Sequence, residues 1–377
     1  MGFVLGRLFA VVAVLAGAAG CGQRDAAVIG FAFGDEHPGV LDVVHHEFTQ
    51  RPGEREPRVV TATGLISTSG APAQITLAAR FVATRGIIGV VGHGDSRGSL
   101  AAAPVYQEAH IPLLVPTGTS RRLRTVSPWV FMMAPDDSAE AEFIAAFAVG
   151  TLRTRAAAVF YDNDDYGIGL RDALRRSLGA RGIQAIAEEP IAVPCGAPET
   201  AEGSILRATP RASPPDLIVI AGRTGDAACV IRRVTARVSA IRVICADGVE
   251  PDSAFYDLLG NANGTGPGAG ARYTVAFWYP GAPGAASARF AQTYERLVGR
   301  PAHASQAMLF DALLLLSQAT RVAGTRRDDV RRYLTELGVT RPAYDGVTGA
   351  VTFGSAARRP LYMLRIRTRT ELPEVAQ

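Results

Sequence analysis

Short and almost wholly apolar runs recur along this chain, each followed by a stretch with helical periodicity, and the alternation starts again near the middle. In the first half these runs predict strands over residues 27–33, 58–62, 86–91 and 112–116, with helices over 40–49, 73–83 and 100–109 between them. The second half repeats the plan, with strands over 156–161, 184–187, 216–221 and 242–246 and helices over 138–152, 167–180, 201–208 and 226–238. A glycine-rich stretch at 260–270 reads as a loop; a strand over 273–278 and helices over 286–298, 305–322 and 326–337 follow it, then strand-like 350–353 and 361–367. Strands that lack a polar face are buried on both sides, the signature of a parallel sheet covered by helices. Such a sheet places its working loops at the carboxyl ends of its strands. With 377 residues there is material for two cores. The expectation is two α/β lobes in series, each with a parallel sheet, enclosing a cleft.

The first twenty residues carry one cation, Arg7, ahead of an apolar run over 8–20. That run is short for a bilayer span and fits a secretory signal peptide over residues 1–20. It ends in Ala18-Ala19-Gly20-Cys21, which resembles the lipobox of bacterial lipoproteins, with Ala18 where leucine is usual. Lipidation at Cys21 is therefore expected, with 21–26 as a lipid-anchored linker. The protein would sit in the periplasm or on the outer face of the cytoplasmic membrane. Of the remaining cysteines, Cys195 and Cys229 are the expected disulfide, because Cys245 falls in a buried strand pattern.

All 39 basic residues are arginine, which excludes a phosphate-loop lysine, a Schiff-base lysine and a Ser-Lys dyad. Arginine clusters at 121–124 and 326–332 lack interleaved aromatics and read as solvated surface, so no nucleic acid is expected. DNDDYG at 162–167 has Tyr166 in the fifth place of a calcium loop and no glutamate at the twelfth. The adjacent His45, His46 and Glu47 do not share a helix face, so no metal is expected. The glycines of GHGDSRG at 92–98 do not make a dinucleotide fingerprint, and no cofactor is expected.

Gly94-Asp-Ser-Arg-Gly98 matches the G-x-S-x-G of a nucleophile elbow, with Asp247 and His303 following in hydrolase order. A serine hydrolase using Ser96 is one reading. Against it, only two strands precede the motif, no HGG-type oxyanion sequence appears, and Asp247 belongs to the other half of the chain. A turn that holds a ligand fits better, and no enzyme is expected.

The stretches GHGDSRGSLAAAPVYQEAHIPLLVPTGTS at 92–120, YDNDDYGIG at 161–169 and ICADGV at 244–249 resemble the type I periplasmic ligand-binding proteins, in particular their leucine/isoleucine/valine-binding branch. The resemblance runs from about Ala27 to the end. It implies an α/β fold of two Rossmann-like parallel-sheet lobes joined by a multi-strand hinge around a ligand cleft. Residues 27–134 plus 279–345 would form one lobe, and 135–278 plus 346–377 the other. It further implies a monomeric solute-binding protein of an ABC importer, closing over an amino acid or similar small polar solute and delivering it to a permease. A ligand-sensing receptor subunit of the same fold is the alternative. Ser96 would bind the ligand's carboxylate together with backbone N–H groups at a helix start. Thr117, Gly118 and Thr119 match a second contacting turn. Tyr166 would close over the ligand, and Asp247 would pair with its ammonium. Arg223 stands where the branched-chain binders carry an aromatic, a departure that admits a polar or acidic side chain. Asp35 and the neighbouring Glu36 fall where the family often touches the ligand side chain.

Overall fold

The computed structural model describes residues 27–376 other than 34–36, 38, 52, 55, 62–69, 184, 192–214, 237, 261–269, 355–358 and 368–373. Cys21, Asp35, Glu36, Cys195, the helix expected over 201–208 and most of the glycine-rich stretch therefore lie outside the described residues.

The first sheet holds five strands in the order β2-β1-β3-β4-β5, all parallel: β1 Val28–Phe31, β2 Arg58–Thr61, β3 Ile87–Val91, β4 Leu113–Val115 and β5 Val130–Met132. Helices α1 Val40–Thr49, α2 Ala71–Val82 and α3 Ser96–Glu108 connect them. Both faces are covered, as the absence of polar alternation requires. Phe81 of α2 and Tyr106 of α3 pack with Val90 and Leu113 on one side. On the other, Val44 of α1 packs with Ile29, Val91 and residues from much later in the chain. Those late residues belong to α8 Ala285–Val298, α9 Ala304–Ala323 and α10 Arg327–Glu336. For α9 this explains a run of four leucines, Leu313 to Leu316, that is buried all round. No single described helix is long and apolar enough to cross a membrane.

The second sheet has the order β14-β13-β10-β9-β8-β6-β7. Its strands are β6 Ala156–Tyr161, β7 Ala185–Pro190, β8 Leu217–Ala221, β9 Arg242–Cys245, β10 Arg272–Ala276, β13 Tyr362–Arg365 and β14 Glu374–Val375. Helices α4 Asp137–Gly150, α5 Asp165–Gly179, α6 Thr224–Thr235 and α7 Ser253–Leu259 belong to it. Strands β6 to β10 are parallel, as expected, and the tail adds two strands of the other sense: β13 runs antiparallel to β10, and β14 antiparallel to β13. These strands arrive from the tail without a crossover helix, and it is the crossover that imposes parallel pairing. The remaining strands, β11 Tyr344–Gly346 and β12 Gly349–Val351, make a separate hairpin. Val347 and Val351 pack in the core of the first sheet, so the chain leaves that lobe only after the hairpin, later than the crossing at 345–346 read from sequence. Buried Asp311 fixes the hairpin by accepting hydrogen bonds from the Val347 and Thr348 N–H groups at 2.8 and 2.9 Å.

Helices α3, α4 and α5 start earlier than their apolar period suggests, α7 forms where no helix was expected, and an aspartate caps each of the four. Asp95 accepts from the Gly98 N–H, Asp136 from Ser138 and Ala139, Asp164 from Tyr166 and Gly167, and Asp252 from Phe255. A Cβ on Gly167 would stand 2.1 Å from the Asp162 carbonyl oxygen, so only glycine lets α5 begin this close to the end of β6. Cys229 is disulfide-bonded, while Cys245 is free and buried.

Candidate ligand-binding cleft

Both sheets reverse their strand order at a point where neighbouring strands send their connections to opposite faces: between β1 and β3 in the first, and between β6 and β8 in the second. The loops leaving the carboxyl ends of strands near these points face each other across the molecule. They enclose a cavity of about 380 Å3 lined by Asp95 and Ser96 after β3, Thr117 after β4, Tyr166 after β6, Arg223 after β8 and Asp247 after β9. Five residues expected from sequence, Ser96, Thr117, Tyr166, Arg223 and Asp247, are thus brought together. Gly118 is not: a Cβ there would meet Val115 and Leu123, so it faces the core. Thr119 is fully buried behind Ser96, with its side chain toward Asp137.

The Ser96 side chain is buried, and its Oγ accepts hydrogen bonds from the backbone N–H groups of Thr119 and Ser120 at 3.2 and 3.1 Å. With two donors on its lone pairs, the hydroxyl proton is left to point at an acceptor in the cavity. Thr117 Oγ1 donates to the Gly94 carbonyl at 2.8 Å and holds the two turns together. Among the described hydrogen bonds no histidine meets Ser96; His37 lines the same cavity, with its Nδ1 3.3 Å from Gln306 Nε2. His93 is buried, with one ring nitrogen 2.7 Å from Gln74 Oε1 and the other 2.7 Å from the Tyr106 hydroxyl. Burial pushes its pKa down to about 3, so it is neutral and braces the loop from behind. His303 sits at the start of α9, its N–H donating to Gln306. A Ser-His-Asp relay therefore has no geometry here, and the hydrolase reading is not supported.

The opposite wall is acidic. The Tyr166 hydroxyl donates to Asp247 Oδ1 at 2.7 Å and accepts from the Gly248 N–H at 3.1 Å, which fixes the ring. The Asp247 N–H donates to Glu140 Oε1 at 2.9 Å. Glu140 lies wholly buried in α4, its other oxygen unpartnered. Burial raises both carboxyls above their usual range, the nearby Asp247 pushes Glu140 further, hydrogen bonds from Glu140 and Tyr166 hold Asp247 back, and neither forms an ion pair among the described residues. The sequence does carry a signal for Glu140. It is a carboxylate four residues before Ile144, on the apolar stripe that continues through Ala148.

Arg223 departs most from its expected role. Its guanidinium lies 2.6 Å from Asp162, 2.8 Å from Asp164 and 3.2 Å from Asp95 across the cleft. A cation matched by three carboxylates has little charge left for an acidic ligand side chain. Further links join the lobes: Arg122 to Asp165 at 2.5 Å, and Glu250 accepting from the Ser305 N–H and hydroxyl at 2.8 and 2.9 Å. Sequence reasoning missed Asp95, seen there only as part of the serine motif, and Glu250, whose partner lies 55 residues away.

Asp137, the first residue of α4, lies beside this wall. Burial, reinforced by Asp247 and Asp136, pushes its carboxyl up to about 8 from the usual 3.8. Between these values the native state holds a proton that the unfolded chain has released, so this contribution to stability falls as pH rises from about 4 to 8. Asp137→Asn is expected to flatten that slope and to be more stable than the parent at pH 8 by roughly 2 kcal/mol. Urea unfolding at pH 5 and pH 8 measures both; equal slopes for the two proteins would remove Asp137 from the account.

Comparison with known proteins agrees with this architecture. The family model described as periplasmic binding protein matches residues 69–370. An amino acid binding protein of Pseudomonas aeruginosa is 28% identical over 180 residues, covering 47% of this chain and 46% of that protein, so the match spans less than half of either. The Leu/Ile/Val-binding protein BraC3 of Rhizobium johnstonii is 24% identical over 299 residues, 79% of this chain and 77% of that one. Among solved structures, a leucine-binding protein LivK from Thermotoga maritima superposes with a TM-score of 0.78 at 18% identity, over 93% of this chain and 98% of its own. A solute-binding protein from Rhodopseudomonas palustris in complex with benzoate superposes at 0.75 and 15% identity, over 93% of this chain and 95% of its own. At such identities the likeness establishes the fold, a type I periplasmic binding protein with two lobes.

Proposed function

Because the chain belongs to the periplasmic binding protein family, we propose that it captures the zwitterionic head of an α-amino acid between its lobes, as the extracytoplasmic solute-binding component of an ABC importer. One observation carries the reading: a single cavity offers the Ser96 hydroxyl on one wall and the Asp247 carboxylate on the other. On one side stand the Ser96 hydroxyl proton and the start of α3, a place suited to a carboxylate. On the other stands Asp247, backed by Glu140 and with no ion pair among the described residues, a place suited to an ammonium. Tyr166 packs beside Asp247 as the cover. The relatives named for amino acids support the same reading.

Binding, on this account, needs no catalysis. A ligand that touches both walls has extra affinity for the closed state and drives closure by that difference alone. The crossings near 134–136 and 277–279, with the strand that returns after the hairpin, are the hinge. Residues 1–20 export the chain, Cys21 anchors it through lipid, and a permease receives the solute. A disulfide between Cys195 and Cys229 is part of the same proposal.

The test is a thermal-shift screen of the protein beginning after Cys21 against the common amino acids, their deaminated analogues and simple amines. A ligand at a hundred times its Kd adds about 2.7 kcal/mol of stability. At least one amino acid is expected to raise Tm, with its deaminated analogue silent. A panel in which only carboxylates without an ammonium shift Tm would end the proposal.

A further inference from the structure

The cleft continues beyond the first cavity into a second of about 500 Å3, which shares Asp247, Glu250 and Ala304 with it. The charges along the two are lopsided: Asp95, Asp247, Glu250, Asp252 and Glu295 stand against Arg223 and Arg300. This occurs in a chain whose formal charge is +4, so the acidity belongs to the cleft and not to the protein at large. Arg223 cannot redress it. Two further carboxylates behind the cavity wall, Asp162 and Asp164, already share its charge with Asp95. Tyr256 and Tyr279 also line the second cavity, aromatic residues of the kind that attract cations electrostatically.

We propose that the cleft selects an amino acid whose side chain ends in an ammonium or guanidinium group, with its head in the first cavity and its cationic end in the second, held by Glu250 and the aromatic rings. The proposal rests on the amino-acid reading above and adds the side-chain class. A cavity lined by one sign of charge between low-dielectric walls concentrates the field and draws in the opposite charge. An aliphatic side chain would bury these carboxylates without giving them a partner, which is the costly case. An acidic one would add like charge.

Isothermal titration of the purified protein with L-arginine, L-citrulline, L-leucine and agmatine tests this. Citrulline has nearly the shape of arginine without its charge, and agmatine is arginine without its carboxylate. Arginine is expected to bind at least about tenfold more tightly than citrulline or leucine, a factor that weakens as salt is raised. In Glu250→Gln the amide can still accept from the Ser305 N–H and donate to its hydroxyl, so only the charge changes. The arginine-to-citrulline ratio is expected to fall there, with citrulline unaffected. Leucine or citrulline binding as tightly as arginine would overturn the side-chain class and leave the amino-acid reading standing. Agmatine matching arginine would support the cationic class and overturn the carboxylate half of the head site. Silence from all four ligands overturns both. Should Glu250→Gln fail to fold, the salt dependence of the parent's arginine-to-citrulline ratio decides; a ratio indifferent to salt overturns the proposal.

Discussion

Asp247→Asn is expected to weaken binding of an α-amino acid about a hundredfold or more, and binding of its deaminated analogue by only a few-fold. The amide keeps the size of the carboxylate and an oxygen for the Tyr166 hydroxyl, now at 2.7 Å, so the wall stays in place. What it loses is the negative charge, and the ligand's ammonium is then buried with no counter-ion. Truncating one partner of a buried, hydrogen-bonded charge pair costs about 2–5 kcal/mol, most of it the penalty of the charge left behind. The analogue brings no ammonium and escapes that penalty. Glu140 does not compensate, because its carboxyl is buried behind Asp247 and held toward the protonated form. Titration calorimetry with an amino acid and its analogue, on parent and variant, reads the effect. Equal losses for the two ligands would take Asp247 out of the ammonium site.

The second large effect concerns stability. Replacing Arg223 by methionine keeps the bulk of the side-chain stem and strands Asp95, Asp162 and Asp164 without their shared cation. Removing one member of a buried ion-pair cluster destabilises by about 3 kcal/mol, the low end being appropriate because Arg223 is partly exposed. The pH dependence identifies the cause. Burial holds the Asp162 carboxyl at about 6, above its usual 3.8, even though Arg223 pulls it down. Without that arginine it rises further, and the native variant takes up a proton that the unfolded chain releases until near pH 4. More protons on the native state mean that its stability increases as pH falls. The deficit of Arg223→Met is therefore expected to be large at pH 7 and to shrink toward pH 5, as measured by urea unfolding. A deficit that stays constant over this range would mean that the methionine acts by packing and not by charge.

These two residues show how differently parts of the cleft were written into the chain. Asp247 was legible because it follows a buried strand, at the carboxyl end where an α/β sheet keeps its working residues, within a stretch that resembles a known family. Ser96 was legible for the same reason. Its hydrolase-like spacing was already outweighed in the sequence by the few strands before it and by the place of Asp247, and His93 is occupied by Gln74 and Tyr106. Arg223 lies in the cleft, but its three carboxylate partners had no signal in the sequence. Its partners lie 61 and 128 residues away, and no local pattern says that an exposed-looking arginine will meet three carboxylates. Glu250 and Glu140 are further cases: each bonds a backbone N–H on an element remote in sequence, Ser305 and Asp247 respectively.

The same division runs through the fold. By itself the sequence determined the alternation of strand and helix and the burial of both sheets on both faces, because each depends on residues within a few positions of one another. It did not determine that β13 and β14 pair antiparallel, that a hairpin stays with the first lobe, or that three-residue β5 exists, since pairing partners and short strands are chosen by what the rest of the chain leaves open. Tertiary structure alone decided the charge of the cleft. A net-positive chain folds so that its carboxylates converge where two sheets present their strand ends, and summing charge along a sequence carries no information about which of those charges will face each other.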